Sequence, residues 1–214
     1  MMTILQARMS STRLPGKCLR PILGRPMLEL QIERVRRARN IGRLVVATSI
    51  EPLDDPIEAL CRELRVACYR GSLNDVLARF NEAARVFGPT DQIVRLTGDC
   101  PLADWDVIDA VIDLHLSEDA DYTSNTQQLT FPKGLDVEVV RAEHLTAAQR
   151  ESGDPYDHEH VTPFIYRRPE RFRLANLACE PPMGELRWTV DTAEDFAFAE
   201  RVYEALYPGD PAFN

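Results

Sequence analysis

Short apolar runs alternate along this chain with stretches whose apolar residues recur every three or four positions, regularly up to about residue 120. Met2-Thr3-Ile4-Leu5 predicts a buried first strand. Leu28, Ile32 and Val35 share one helical face after Pro26, and Leu44-Val45-Val46-Ala47 predicts the next strand. Pro56 suits the first turn of a helix through Leu64, which precedes a short strand at Val66-Ala67-Cys68-Tyr69. A helix over 73–87 and a strand at Gln92-Ile93-Val94-Arg95-Leu96 follow. Strands separated by crossover helices mark an α/β sheet. Past residue 120 the alternation falters: Tyr122-Thr123-Ser124-Asn125 and Leu135-Asp136-Val137-Glu138-Val139 read as strands separated by a loop. Helices near 142–151 and 158–167 and a strand near 172–177 come next. Leu186-Arg187-Trp188-Thr189-Val190 reads as a last strand, leading into a terminal helix from about Ala193. No repeat or low-complexity tract interrupts the pattern.

The segment behind the first strand carries the candidate chemistry. Arg8, Arg13 and Lys17 sit among small hydroxyl residues, and Pro15-Gly16 forbids a continuous helix through them. Loops at the carboxyl ends of parallel strands are where α/β proteins bind ligands. An arginine fork grips phosphate oxygens in pairs, whereas a lysine ammonium follows a charge that moves. The pattern therefore predicts a polyphosphate loop. It is neither a Walker loop nor a Gly-x-Gly-x-x-Gly dinucleotide fingerprint.

Two aspartates share a setting. Asp99 follows the run ending at Leu96 and the turn former Gly98; Asp191 follows Val190 and opens Asp191-Thr192-Ala193-Glu194-Asp195. Each has a simpler use as a helix cap, Asp99 for a helix starting near Asp104 and Asp191 for the terminal helix. Beside a polyphosphate loop both suit Mg²⁺, which prefers oxygen ligands and bridges to phosphates.

Composition narrows the class. The 214 residues, 44% hydrophobic, predict one domain with a substantial core. No apolar stretch is long enough to cross a bilayer and the N-terminus lacks a signal-peptide layout, which predicts a cytoplasmic protein with no membrane partner. Five cysteines without a Cys-x-x-Cys pair argue against a disulfide framework and a zinc site. The net charge of −9 divides into +8 over residues 1–43 (ten Arg/Lys against Glu29 and Glu33) and −17 over the rest. That acidity disfavours nucleic acid, while the basic start attracts a small polyanion. Arg34, Arg36, Arg37 and Arg39 read as the solvated face of a helix.

Ala7-Arg8, Ser11, Arg13-Leu14-Pro15-Gly16-Lys17 and Leu19 resemble the N-terminal motif of sugar cytidylyltransferases, the CMP-Kdo and acylneuraminate enzymes. The spore-coat polysaccharide biosynthesis group (SpsF-like) is the nearer resemblance. It extends through Gly98-Asp99-Cys100-Pro101-Leu102, Gly134 to Val139, Glu159-His160-Val161-Thr162-Pro163 and Arg187 to Thr192. The resemblance implies a nucleotide-diphospho-sugar transferase-like (GT-A/Rossmann-like) three-layer α/β/α fold with a mostly parallel mixed sheet. It implies CTP as nucleotide, bound by Gln6, Ala7, Arg8, Ser11, Arg13, Lys17 and Asp99, with Arg8, Arg13, Lys17, Asp99 and Asp191 catalytic. Asp99 and Asp191 would hold Mg²⁺. A small sugar-like acceptor would meet Asn125, Asp136, Glu138, Glu159 and His160, and the stretch 130–180 would bind acceptor and pair two copies into a homodimer. The aromatics Phe131, Tyr156, Phe164, Tyr166 and Phe172 in that stretch equally suit a local core. Two other classes stay open: a GT-A glycosyltransferase using Asp104-Trp105-Asp106, and a non-catalytic nucleotide-binding protein.

Overall fold

The computed structural model describes residues 1–214. Its central sheet uses β1 (Met2–Gln6), β4 (Arg43–Ser49), β5 (Ala67–Gly71), β6 (Gln92–Thr97), β7 (Tyr122–Ser124), β8 (Glu138–Arg141) and β9 (Leu174–Asn176). The strand order is β5-β4-β1-β6-β8-β7-β9. β5, β4, β1 and β6 run parallel; β8 is antiparallel to β6 and β7, and β9 is parallel to β7. A mostly parallel mixed sheet, covered by helices on both faces, is the three-layer architecture expected. The apolar runs fill it for the usual reason: successive side chains point to opposite faces, so a strand buried on both sides must be apolar at every position.

One face carries α1 (Met27–Val35), α2 (Asp55–Glu63) and α4 (Trp105–Ser117), whose Ile32, Ile57 and Ile112 pack on Leu5, Val46 and Val94. The other carries α3 (Val76–Phe87), α5 (Ala142–Glu151) and the short α6 (Pro155–His160) and α7 (Pro163–Tyr166). There Phe80, Leu145 and Ile165 pack on Ile4, Val45 and Ile93. Each such side chain, fully buried, contributes about 1.5–3 kcal/mol. A third cluster joins Leu14 of the candidate loop to Val190 and to Tyr203 of α8 (Ala193–Leu206).

Four expectations change. The run Leu186–Val190 joins no sheet: one bridge pairs Lys133 with Arg187, and Val190 N–H donates to Asp99 O at 2.8 Å. Its backbone groups tie two loops together. The strand read from Leu135 starts at Glu138, because the Asn125 side chain takes Leu135 O (2.7 Å) and Val137 N–H (2.9 Å) in place of a neighbouring strand. The helix expected over 158–167 is cut at Val161, where φ is 75°, and restarts at Pro163. Arg34 is buried, donating to Ala103 O and Phe213 O and stacking on Trp105, because a planar guanidinium on a long stem can lie between aromatic rings. A small hairpin, β2 (Pro21–Ile22) with β3 (Arg25–Pro26), turns through Leu23 and Gly24, both at positive φ; its prolines conceal it from a strand reading. Among the aromatics of 130–180, Phe164 and Phe172 are core, while Tyr156 is exposed.

Candidate active site

The ends of β1 and β6 open a cleft of about 340 Å³. Gly98 N–H donates to Gln6 O at 2.8 Å, and a Cβ at Gly98 would stand 2.9 Å from that oxygen, so the two strand ends approach this closely only with glycine there. The loop from Ala7 to Gly16 closes on itself where Gly16, at φ 72°, donates to Met9 O at 2.9 Å. Leu14 anchors its far side in the core. The Asp54 carboxylate fixes its near side, accepting from Met9 N–H at 2.7 Å. Cys18 Sγ donates to Arg8 O and Gly98 O; burial pushes this thiol up to about 11, so it ties loops rather than reacting.

Lys17 follows Gly16 on a single 3₁₀ turn and is only 7% exposed. Its ammonium donates to Val190 O (2.7 Å), Asp191 Oδ1 (3.0 Å) and Asp99 Oδ2 (3.3 Å). Burial opposes its charge, but the two carboxylates outweigh burial and raise its pKa. Asp191 mirrors it: burial pushes the carboxyl up, and the Lys17 hydrogen bond and charge, with Arg187 and Arg13, hold it below the usual range. Arg13 and Arg187 reach Asp191 Oδ2 at 3.0 and 2.9 Å.

The two aspartates, 92 positions apart, meet because their backbones are stitched: Asp99 O accepts from Val190 N–H and, at 3.2 Å, from the Thr189 hydroxyl. Neither caps a helix. Asp104 caps α4, and Thr192 caps α8 in a capping box with Asp195, whose carboxylate also accepts from Asp191 N–H at 2.9 Å. The Arg187 fork, with these backbone donors, holds Asp195 far below the carboxylate range, so Asp195 orients the site without entering it. Asp99 and Asp191 are two hard oxygen donors converging on one ammonium, and no third His, Cys, Asp or Glu joins them. Two carboxylates completed by water and phosphate oxygens are a donor set that Mg²⁺ takes, so the pair fits a divalent ion.

The opposite wall comes from α3 and α6. Val76 and Arg79 line it, as do Glu159 and His160. His160 precedes a γ-turn centred on Val161, in which Thr162 N–H donates to His160 O at 2.9 Å. A β-branched residue in that conformation is strained, and strain of this kind collects at binding sites. The turn sends His160 to the cleft and Thr162 inward, its hydroxyl donating to Glu138 Oε1 at 2.7 Å. A second cavity, of about 360 Å³, shares Arg95 and His160 with the first and reaches Gln127, Glu138 and Tyr166. At its edge Arg95 pairs with buried Glu138, which also accepts from Tyr122 Oη–H at 2.6 Å. Burial pushes Glu138 up; the Arg95 charge and these hydroxyls hold it down, as an ionised carboxylate.

Thus Gln6, Ala7, Arg8, Ser11, Arg13, Lys17, Asp99, Glu159, His160 and Asp191 line one cleft. Glu138 lines the neighbouring cavity. Asp136 lines neither: it lies toward Cys100 and Gln31, where burial, with the Asp99 and Glu138 charges, raises its pKa. Asn125, 2% exposed, spends its amide on backbone. Asp104 and Asp106 lie outside the cleft; Asp104 Oδ1 accepts from Asp106 N–H and Val107 N–H, and Asp106 meets Asn214. His158 uses both ring nitrogens on Asp75 and Ser152 O. Arg79 and Arg95 also line the cleft, beyond the residues expected from sequence. Both carried a signal, a charge on an otherwise apolar helix face (Val76, Leu77, Phe80, Ala83) and a charge inside the buried run Ile93 to Leu96.

A family model described as cytidylyltransferase matches residues 2–206. The chain belongs to the cytidylyltransferase family. The spore coat polysaccharide biosynthesis protein SpsF of Bacillus subtilis is 37% identical over 209 residues, covering 94% of this chain and 85% of that protein. A solved cytidylyltransferase from Leptospira borgpetersenii superposes with a TM-score of 0.93 at 33% identity, over 100% of this chain and 89% of its own. A CMP:2-keto-3-deoxy-manno-octonic acid synthetase solved with CTP superposes at 0.67 and 17% identity, over 95% of this chain and 98% of its own, which is a likeness of fold.

Proposed function

We propose that this cytidylyltransferase joins CTP to a hydroxyl of a small sugar acid or related polyol, releasing pyrophosphate, for surface polysaccharide or glycoconjugate biosynthesis. The observation that carries the reading is the convergence of Lys17, Asp99 and Asp191 beside Arg8 and Arg13, in a cleft that shares Arg95 and His160 with a second, polar cavity. The cytidylyltransferase family supports CTP as the nucleotide.

In this reading the nucleotide lies along the loop after β1, with Arg8, Arg13 and Lys17 on its phosphates, and the acceptor enters past His160 toward Glu138. The acceptor oxygen forms a bond to the α-phosphorus while the bond from that phosphorus to the bridging oxygen breaks. Pyrophosphate departs with the electron pair and the hydroxyl proton is lost to water. Arg13 and Lys17 meet the negative charge that grows on the departing group, and the cleft supplies this field without reorganising. Asp99 and Asp191 would hold Mg²⁺, which supplies polarisation of the phosphoryl oxygens and acidifies a bound hydroxyl. Glu138 and His160 would orient acceptor hydroxyls. Pairing of two copies through 130–180 belongs to the same proposal, and Leu129, 78% exposed, lies at its edge; sedimentation velocity reads it directly.

The test is pyrophosphate release with each of the four NTPs and Mg²⁺ across a panel of sugar acids and phosphorylated polyols, beside Asp99→Asn. Release with CTP and one acceptor, lost in the variant, is the expected result. Binding of a nucleotide-diphosphate sugar with no release from any NTP would overturn it.

A further inference from the structure

Two arginines are buried, and they are provided for very differently. Arg34 donates from three nitrogens and stacks on Trp105 and Phe213. Arg79, 2% exposed, makes one hydrogen bond, Nη1 to Ser72 O at 2.7 Å, and its Nε has no partner at all. No carboxylate lies within ion-pair distance of it; Asp54 and Asp75 act on it only through space, and Arg8 opposes them. Burial, with the Arg8 charge, lowers this guanidinium to about 10, which leaves it charged at neutral pH. Gly71 makes the room: a Cβ there would stand 3.1 Å from Arg79 Cγ. A buried cation with an empty donor weakens a fold unless something else completes it. The side chain lines the active cleft on the wall that faces the loop, and Arg8, also without an ion-pair partner, lines the same cleft.

We propose that Arg79 of the α3 wall, together with Arg8 at the start of the loop, forms an oxyanion subsite in the cleft, separate from the Lys17–Asp99–Asp191 cluster, that takes an acidic group of the ligand. This rests on the nucleotidyl-transfer reading for its setting. The oxyanion is a phosphate of the nucleotide or an acidic group on the acceptor; both offer the paired oxygens a guanidinium fork matches. Arg79 is a binding residue here, completed by ligand rather than by protein.

The experiment compares the parent with Arg79→Met and Arg79→Lys by calorimetric titration and thermal unfolding, which need no turnover. The probes are tripolyphosphate, CTP, cytidine and 6-phosphogluconate. Arg79→Met is expected to unfold at the parent's temperature or above it, since it removes an unpaired buried charge, while losing at least tenfold in affinity for an anionic probe. Arg79→Lys recovers part of that loss. A loss confined to tripolyphosphate and CTP, with cytidine unchanged, assigns the subsite to the nucleotide's phosphates; a loss confined to 6-phosphogluconate assigns it to the acceptor. Unchanged affinity for every probe, or cytidine weakened as much as CTP, overturns the subsite. Because binding is read directly, the subsite can stand where pyrophosphate release fails, and fall where it succeeds.

Discussion

The two ends of the cleft treat charge in opposite ways. Where the far end of the loop meets the stitched strands, the charges are matched: Lys17 lies between Asp99 and Asp191, Arg13 and Arg187 share Asp191, and Arg187 also holds Asp195. At the other end, Arg8 at the start of the loop and Arg79 of α3 line the same cleft with no ion-paired carboxylate of their own. A matched cluster folds in a defined geometry but grips nothing strongly until its partners are exchanged. An unmatched cation binds an anion at once and weakens the empty protein. Metal and nucleotide should therefore bind together, since phosphates that draw the cations away free the carboxylates for a divalent ion, and the coupling is reciprocal.

The largest effect lies just beyond this cleft, at the matched pair that separates it from the second cavity. Glu138→Gln leaves Arg95 without its carboxylate and turns an acceptor of two hydroxyl donors into an amide. Breaking a buried ion pair from one side costs about 3–5 kcal/mol. For a chain of this size that is a fall in unfolding midpoint of roughly 10 °C, read by calorimetry. A fall under about 2 °C would show that Arg95 finds other partners and that the matched side is less rigid than the comparison holds.

Next comes the cluster itself. Lys17→Ala is expected to lower kcat/KM by a factor of about 10²–10³, the loss typical of deleting one donor to a developing anion. With the ammonium gone, Asp99 and Asp191 should bind Mn²⁺ more tightly in the absence of nucleotide, by about tenfold or more, as read by electron paramagnetic resonance; that factor is about 1.4 kcal/mol. Asp99→Asn should lose both activity and Mn²⁺. Equal Mn²⁺ affinity in Lys17→Ala and the parent would remove the argument that the matched charges hold the metal site closed.

Much of this was legible in the chain, and what was not has physical reasons. The parallel half of the sheet could be read because a strand buried on both faces must be apolar throughout, as Ile93-Val94 and Val45-Val46 are. That Arg8, Arg13, Lys17, Asp99 and Asp191 would line one cleft could be expected because irregular backbone behind an apolar run is where α/β folds place ligands. Local pattern cannot express pairing at a distance. Leu186–Val190 is as apolar as a strand, yet its hydrogen bonds go to Lys133 and Asp99. Asn125 is a polar residue in a promising place whose amide replaces a missing strand partner. Arg79 and Arg95 were visible only as charges in apolar company, and which of them meets a carboxylate was decided by the register that sets Arg95 opposite Glu138.

The smallest of these effects asks whether acid sensitivity belongs to the site or to the rest of the protein. His115, 1% exposed, sits between Thr123 Oγ1 at 3.0 Å and Gln92 Oε1 at 2.8 Å, far along α4 from the cleft. Burial, with the Arg141 charge, lowers it from 6.5 to about 4 against the opposing pull of Asp121 and Asp119. The unfolded chain thus binds the proton first as pH falls. Stability contributed by the neutral ring is complete above pH 6.5 and is lost between there and about 4, at most ~3 kcal/mol. His158 works with the opposite sign, since Ser152 O and Asp75 raise it, but it is partly exposed and its share is small. Asp191, held below the usual carboxylate range, keeps its contribution until pH falls past that range, so its share of the cleft's matched charge survives the whole His115 window. Urea midpoints at pH 7, 6, 5 and 4 should decline in the parent and stay flatter in His115→Gln. Equal decline in both would move the acid-labile group away from His115 and would count against the cleft keeping its charges through this window.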